Sequence, residues 1–218
     1  VVLVTVVVLV VGVAWAFLYS PLLALSADSV TVSGQSGDLS AEQVEAKVAP
    51  FVGTPLARLD TDALRDAVDT LTPVRSSVVG KVWPRGVSVE VTMRTPAMVV
   101  EQGGHYTLVD DQGVEVATTD SRPTGLPLVV LPASGEARTR AAGDVHTVWA
   151  ALGSDLRPQV TSVTADGATL TLALSSNRSV VWGTAEDSAL KAQVLGVLLA
   201  QRPATTYDVS SPHRPVTS

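Results

Sequence analysis

Apolar and polar positions divide the chain into stretches with different periods. Val1–Tyr19 is apolar except at Thr5 and Gly12, and no charged residue precedes Asp28. At about 1.5 Å per residue, a helix over this run spans roughly 28 Å, close to the ~30 Å hydrocarbon core of a bilayer. Thirteen of its residues are Val, Leu or Phe, and Trp15 and Tyr19 suit the interfacial aromatic belt. The pattern predicts a transmembrane helix, with its segment running over residues 1–25. A secretory signal peptide is the other reading. Its apolar core is usually about 7–15 residues, and Ala24-Leu25-Ser26 makes only a mediocre cleavage site. Either reading exports the remainder of the chain. The absence of Lys and Arg from Val1 to Ala46 favours the outside for the downstream flank. Leu22–Ala27 is predicted to be a short apolar exit.

From Val30 the pattern shortens. Val30-Thr31-Val32 before Ser33-Gly34 predicts a strand closing in a turn. Ser40 and Gln43 form a capping box, with Leu39 able to staple to Val44. Val44, Val48 and Phe51 share one helical face, and Gly53 and Pro55 stop the helix. Asp60 caps a second helix, whose face is Leu64, Val68 and Leu71. Val74–Val82 predicts a strand, Trp83-Pro84-Arg85-Gly86 a tight turn. Val87, Val89, Val91 and Met93 then alternate with Ser88, Glu90, Thr92 and Arg94, a half-buried strand. The order is β-α-α-β-β, a small α+β domain over 28–95.

After Pro96 the chain is predicted to run mostly in short strands: Ala97–Glu101, His105–Val109, Gly113–Ala117 and Leu128–Leu131. A helix comes next at Thr139–Leu152. Strands are then expected at Gln159–Ala165, Ala168–Ser175 and Arg178–Trp182, the first two joined by an Asp166-Gly167 hairpin turn. Thr184 and Asp187 offer a capping box for a last helix with the apolar face Leu190, Val194, Val197 and Leu198. Thr206–Ser210 is a final strand. Pro212 and Pro215 predict a flexible tail over 212–218. The fold class is therefore α+β: a transmembrane helix, the small domain, then a mostly antiparallel β domain with two helices over 97–211.

Charge and chemistry narrow the function. Fifteen Lys and Arg stand against 21 Asp and Glu, a net of −6. That balance argues against nucleic acid and against strong attraction to anionic lipid. There is no cysteine, so an exported domain must rely on an ordinary core rather than disulfides. His105, His146 and His213 have no His or carboxylate at a helical metal spacing, and no H-E-x-x-H occurs. Gly34-Gln35-Ser36-Gly37 fails the G-x-S-x-G pattern. No P-loop or dinucleotide fingerprint is present. Asp110-Asp111, two residues before Gly113, fits a turn better than a catalytic carboxylate pair. Asp60 with Asp62 fits a helix cap better than a cation site. Nothing points to an enzyme, a cofactor or a metal.

Several motifs in order resemble the FtsQ/DivIB family of bacterial cell-division proteins. They are Val30–Gly34; Val52-Gly53-Thr54-Pro55-Leu56 with Leu59-Asp60; Pro73-Val74 and Val82-Trp83-Pro84; and Val87–Val91 with Arg94-Thr95-Pro96-Ala97. Leu108–Gly113, Leu126-Pro127-Leu128, Lys191 and Tyr207–Ser210 with Pro212 continue the series. The Trp-Pro turn and the Thr-Pro-Leu step are the most specific. Met93 departs from the family, which commonly has Glu there. The resemblance implies a POTRA domain followed by the family's β domain. It implies a non-enzymatic, single-pass type II protein of the cell membrane, with its N-terminus cytoplasmic and its body extracytoplasmic, at the mid-cell division septum. It implies a divisome complex with FtsB/DivIC-like and FtsL-like bitopic proteins, linked indirectly to the septal peptidoglycan synthase FtsW and its transpeptidase.

Two candidate sites emerge. A last strand of five residues belongs at a sheet edge, where unpaired N–H and C=O groups accept a partner strand. In the family, this strand and the helix before it bind FtsB/DivIC, which carries to Tyr207, Asp208, Val209, Ser210 and Ser211. Some relatives have Arg and Tyr where this chain has Ser210 and Ser211, so side-chain anchors would differ while backbone pairing would not. Tyr207 and Val209 also suit a core. At the POTRA turn, Trp83 and Pro84 form either a partner hot spot or a packing element of their own domain. A different membrane-anchored POTRA export or assembly factor is the alternative function.

Overall fold

The structure, a computed structural model, describes residues 21–35, 37 and 39–218, with residues 3–6, 8, 9, 12 and 15. The predicted span at Val1–Tyr19 thus lies largely outside the described residues; those described within it are helical and exposed. Among the described residues no helix is long and apolar enough to cross a membrane. The chain divides into two compact units, Val1–Arg94 and Thr95–Ser218.

In the first unit, three strands form a sheet in the order β1-β3-β2: β1 (Val30–Ser33), β2 (Val74–Val82) and β3 (Gly86–Met93). β3 is central, parallel to β1 and antiparallel to β2. Helices α1 (Ala41–Val48) and α2 (Thr61–Asp69) supply the facing layer. The local signals act as the sequence requires. Ser40 Oγ accepts from Gln43 N while Gln43 Oε1 accepts from Ser40 N, a complete capping box. Asp60 Oδ1 accepts from both Asp62 N and Ala63 N. Val44 and Val48 of α1, Leu64 and Val68 of α2, and Val87, Val89 and Val91 of β3 are all buried in one core. Each such side chain contributes roughly 1.5–3 kcal/mol of transfer free energy.

This unit starts earlier than the pattern suggests. Leu22–Ala27, expected to be a mere exit from the span, is stitched into the fold. Ala24 bridges Pro55, Leu25 N donates to Thr54 O, and Gly53 N donates to Leu25 O, both at 2.9 Å. Leu25 is 2% exposed. The Gly53–Leu56 stretch between the helices thus needs a partner strand segment, and Ala24-Leu25 fills that place. The peptide weighed as a cleavage site is therefore part of a folded core.

In the second unit, nine strands form one sheet in the order β12-β11-β10-β9-β8-β7-β4-β5-β6. They are β4 (Met98–Gln102), β5 (His105–Val109), β6 (Glu115–Thr119), β7 (Leu128–Val130), β8 (Val160–Ala165), β9 (Leu170–Leu174), β10 (Arg178–Gly183), β11 (Thr206–Asp208) and β12 (Val216–Thr217). Most neighbours are antiparallel; β4–β7, β7–β8 and β10–β11 are parallel. Helices α3 (Gly135–Ala151) and α4 (Ser188–Gln201) pack with its core, in which Trp182 and Tyr207 are fully buried.

Several boundaries move for identifiable reasons. β6 starts at Glu115 because Asp110 Oδ1 accepts from Gln112 N and Val114 N, which prolongs the turn. α3 begins at Gly135, four residues before the expected Thr139. Arg138 ties its first turn to the β5–β6 turn, donating to Gly113 O at 2.8 Å, to Pro132 O and to Glu115 Oε1. Asp166 Oδ1 accepts from Ala168 N and Thr169 N, so the hairpin turn runs to Thr169 and β9 starts at Leu170.

Candidate functional site

The C-terminal end of the second unit brings together β10, α4, β11 and β12. Tyr207 and Val209 point inward and are fully buried. The Tyr207 hydroxyl donates to Arg202 O at 3.0 Å and accepts from Ala204 N at 3.1 Å, closing the α4–β11 connection. Val209 N donates to Val181 O at 3.0 Å, so its amide faces β10 rather than the outer edge. Asp208 is half-buried, its Oδ1 accepting from Ser210 N at 2.9 Å; Ser210 and Ser211 are exposed. Gly183 has φ +75°, and a Cβ there would lie 2.9 Å from the Ser210 side chain, so only glycine lets the two loops approach this closely.

Two expectations are corrected here. The final strand is Thr206–Asp208, and it is not the outermost. The stretch expected as a flexible tail turns back: Val216 and Thr217 form β12, antiparallel to β11. Thr206 N donates to Ser218 O at 2.9 Å, and Ser218 N returns to Thr206 O at 3.0 Å. Pro212 and Pro215 shape this return loop rather than keeping the segment unstructured, since Pro favours turns as much as disorder. β12 is nevertheless slight, two residues long with Val216 61% exposed.

α4 is rotated from the expected orientation. Its buried positions are Ser188, Lys191, Ala192 and Leu195. Leu190, Val194 and Leu198 are half-buried and Val197 is 54% exposed. The helix is apolar on nearly every side, so periodicity alone does not select the inner face. Polar contacts select it. Trp182 Nε1 donates to Ser188 Oγ, which itself donates to Ala185 O at 2.7 Å. Lys191 Nζ donates to Thr184 O at 2.9 Å. Burial lowers the Lys191 pKa, with Asp187 and Glu186 pulling the other way. Thr184 and Asp187 do not form the expected capping box: Asp187 sits in the left-handed region at φ +54° and makes no side-chain cap. Of the expected face Leu190, Val194, Val197 and Leu198, Val194 and Leu198 pack against the core, and all four also line a groove of about 360 Å³ with Gln193 and Pro215. Pro215 leads directly into β12, so groove and sheet end are continuous.

The other candidate lies in the first unit. Trp83 is 48% exposed at the β2–β3 turn, before a cis Pro84. Val78 and Val82 of edge strand β2 are exposed as well, at 68% and 49%. His105 Nδ1 lies 2.8 Å from Asp120 on the surface of the second unit, and His146 is an exposed residue of α3. Among the described residues, no group of three His, Cys, Asp or Glu side chains is placed to hold a metal ion.

The groove on α4 is hidden in the sequence because its residues look like a core face. The available signal is Lys191: a cation three residues after Ser188 on an otherwise apolar helix invites outward placement, yet its long stem reaches a backbone carbonyl. Residues 97–211 match the family described as cell division protein FtsQ/DivIB, C-terminal, and residues 25–94 match the POTRA domain, FtsQ-type. The chain is 37% identical over 195 residues to a cell division protein FtsQ of Streptomyces griseus, covering 83% of this chain and 91% of that protein. It is 35% identical over 203 residues to that of Streptomyces venezuelae, covering 88% and 73%. With the FtsQ of Mycolicibacterium smegmatis it shares 38% over 194 residues, covering 88% and 56%. Sheet, helices and matched residues run in one order along both units, and the chain belongs to the FtsQ/DivIB family of cell-division proteins.

Proposed function

We propose that this chain is a non-enzymatic scaffold of the division machinery, held at the septal cell membrane by its apolar N-terminal run with the POTRA and β domains outside. Its C-terminal sheet end and the outer stripe of α4 receive an FtsB/DivIC-like partner, in complex with an FtsL-like protein. Through that complex it connects to the septal peptidoglycan synthase, FtsW and its transpeptidase. The observation that carries this reading is the apolar groove of Leu190, Val194, Val197 and Leu198 lying beside a sheet end closed by only two residues. A partner strand replaces the hydrogen bonds of β12 one for one, and an adjoining helix gains the apolar area of the groove, at roughly 25 cal/mol per Å². Family membership favours this over a POTRA export or assembly factor. The exposed Trp83 and its neighbours on β2 offer a second contact surface.

The test is binding of the full chain, in neutral detergent, to the ectodomain of its FtsB/DivIC-like partner. Removing residues 212–218 uncovers β11 and is expected to tighten binding. Thr206→Pro removes an amide that faces the outer edge and is expected to abolish it. Val197→Glu in the groove is expected to weaken it. Val209→Pro is unsuitable, because that amide holds β11 to β10. Unchanged affinity in the truncated chain and in a folded Thr206→Pro variant would overturn strand addition at this edge.

A further inference from the structure

A second concave surface lies on the second unit beside β8, with β9 and β10 standing between β8 and β11 in the sheet. It is a cleft of about 510 Å³, in the roughly 300–1,000 Å³ range of ligand sites. The β6–β7 loop gives it Arg122, Pro123 and Leu126. The end of α3 gives it Trp149, and the connection into β8 gives it Arg157 and Pro158.

The chemistry of this cleft is one-sided. The Arg157 guanidinium sits 5.6 Å over the Trp149 ring. Its Nε donates to Trp149 O at 3.0 Å and its Nη2 to Ala150 O at 3.3 Å, satisfying carbonyls that the helix end leaves open. Arg122 is exposed and donates from Nη2 to Thr161 O at 3.3 Å. Among the described residues neither guanidinium has a carboxylate partner, whereas Arg65 and Arg138 both do. In a chain of net charge −6, two unneutralised cations in one cleft stand against the average. The remaining N–H groups are donors only, so the ligand must bring acceptors, and planar guanidinium forks suit carboxylate. The walls of Leu126, Pro123, Pro158 and the Trp149 ring are apolar, so the ligand must also bring an aliphatic or aromatic body. A small inorganic anion would leave those walls wet.

We propose that this cleft binds an extended acidic peptide of a partner protein. A Glu or Asp carboxylate of that peptide pairs with Arg122 and Arg157, and a neighbouring apolar side chain lies against Trp149 and Leu126. The site is independent of the reading of the β11 end.

The test is isothermal titration of the full chain, in neutral maltoside micelles, with a terminally blocked Gly-Leu-Glu-Phe-Glu-Gly peptide. Its controls are the same peptide with Gln for Glu, and inorganic phosphate. The expected result is saturable one-site binding that weakens as salt rises. It is also expected to fall roughly tenfold with the Gln peptide and with Arg122→Gln. Arg122→Gln carries the test because its bond to Thr161 is on the surface. Arg157→Gln is made beside it, with circular dichroism reporting whether the end of α3 survives. Removing residues 212–218 is expected to leave this binding unchanged, which separates it from the β11 site. The proposal is overturned by absence of saturable binding, by equal affinity for the two peptides, or by an unaffected Arg122→Gln variant. Phosphate displacing the peptide at lower concentration than the peptide itself binds would also overturn it, showing an anion site without peptide recognition.

Discussion

Replacing Tyr207 by Phe removes one oxygen from a fully buried side chain and leaves the ring in place. That oxygen holds two backbone groups at once, donating to Arg202 O at 3.0 Å and accepting from Ala204 N at 3.1 Å. Arg202 is exposed and Ala204 half-buried, so water reaches part of what the hydroxyl releases. Each lost bond therefore counts near the net value of about 0.5–1.5 kcal/mol rather than the full penalty of an orphaned group. Two bonds give roughly 1–3 kcal/mol. For a unit the size of Thr95–Ser218, that lowers its melting temperature by about 4–12 °C. Tryptophan fluorescence during heating follows this unit through Trp182, buried in its core, and Trp149, packed against that core. Tyr106→Phe is the control: Tyr106 is half-buried, and its hydroxyl makes no bond among the described residues. A Tyr207→Phe shift no larger than that of Tyr106→Phe would refute the claim that this hydroxyl fastens β11 to α4.

Three further outcomes are expected. Gly34→Ala destabilises the first unit by about 3 kcal/mol or more in urea titration, because Gly34 has φ +82° and a Cβ there collides with the Val91 carbonyl oxygen of β3. Asp60→Ala lowers stability by about 1 kcal/mol, the usual effect of losing an N-cap, and lowers the helical signal in circular dichroism. Lys191 gives a pH signature: its native pKa lies below the ordinary 10.5. Between that lowered value and 10.5 the unfolded chain binds a proton that the native chain has released. Stability against urea thus rises with pH across that window, and this rise is absent in Lys191→Met.

The first unit is legible because its signals are local and agree with one another. Ser40 with Gln43, Asp60, and the alternation of Val87, Val89 and Val91 each admit one structure, and the observed bonds are the ones those residues are built to make. The illegible parts depend on contacts distant in sequence. Leu25 reads as the end of an apolar run until Thr54 supplies its backbone partner. Gly135 carries no start signal; Arg138 anchors that helix turn to a loop twenty-odd residues earlier. α4 offers two apolar faces, and Ser188 and Lys191, polar in isolation, turn inward because Trp182 and the Thr184 carbonyl await them. The candidate site shares this fate. Its strand is visible in the sequence, whereas its groove reads as core and its β12 cover as a loose tail.

The order of strands in the second sheet has a consequence for assembly in the cell. β11 comes after β4 to β10 in the chain, and it rests on β10 and on α4. A chain emerging N-terminus first lays down the local hairpins β4–β5 and β8–β9–β10 before the stretch that completes the sheet end. Non-local parallel pairing, as between β10 and β11, is the slower kind. The β11 end therefore forms after the scaffold that supports it. Unfinished chains lack β11 and the sheet end that it completes.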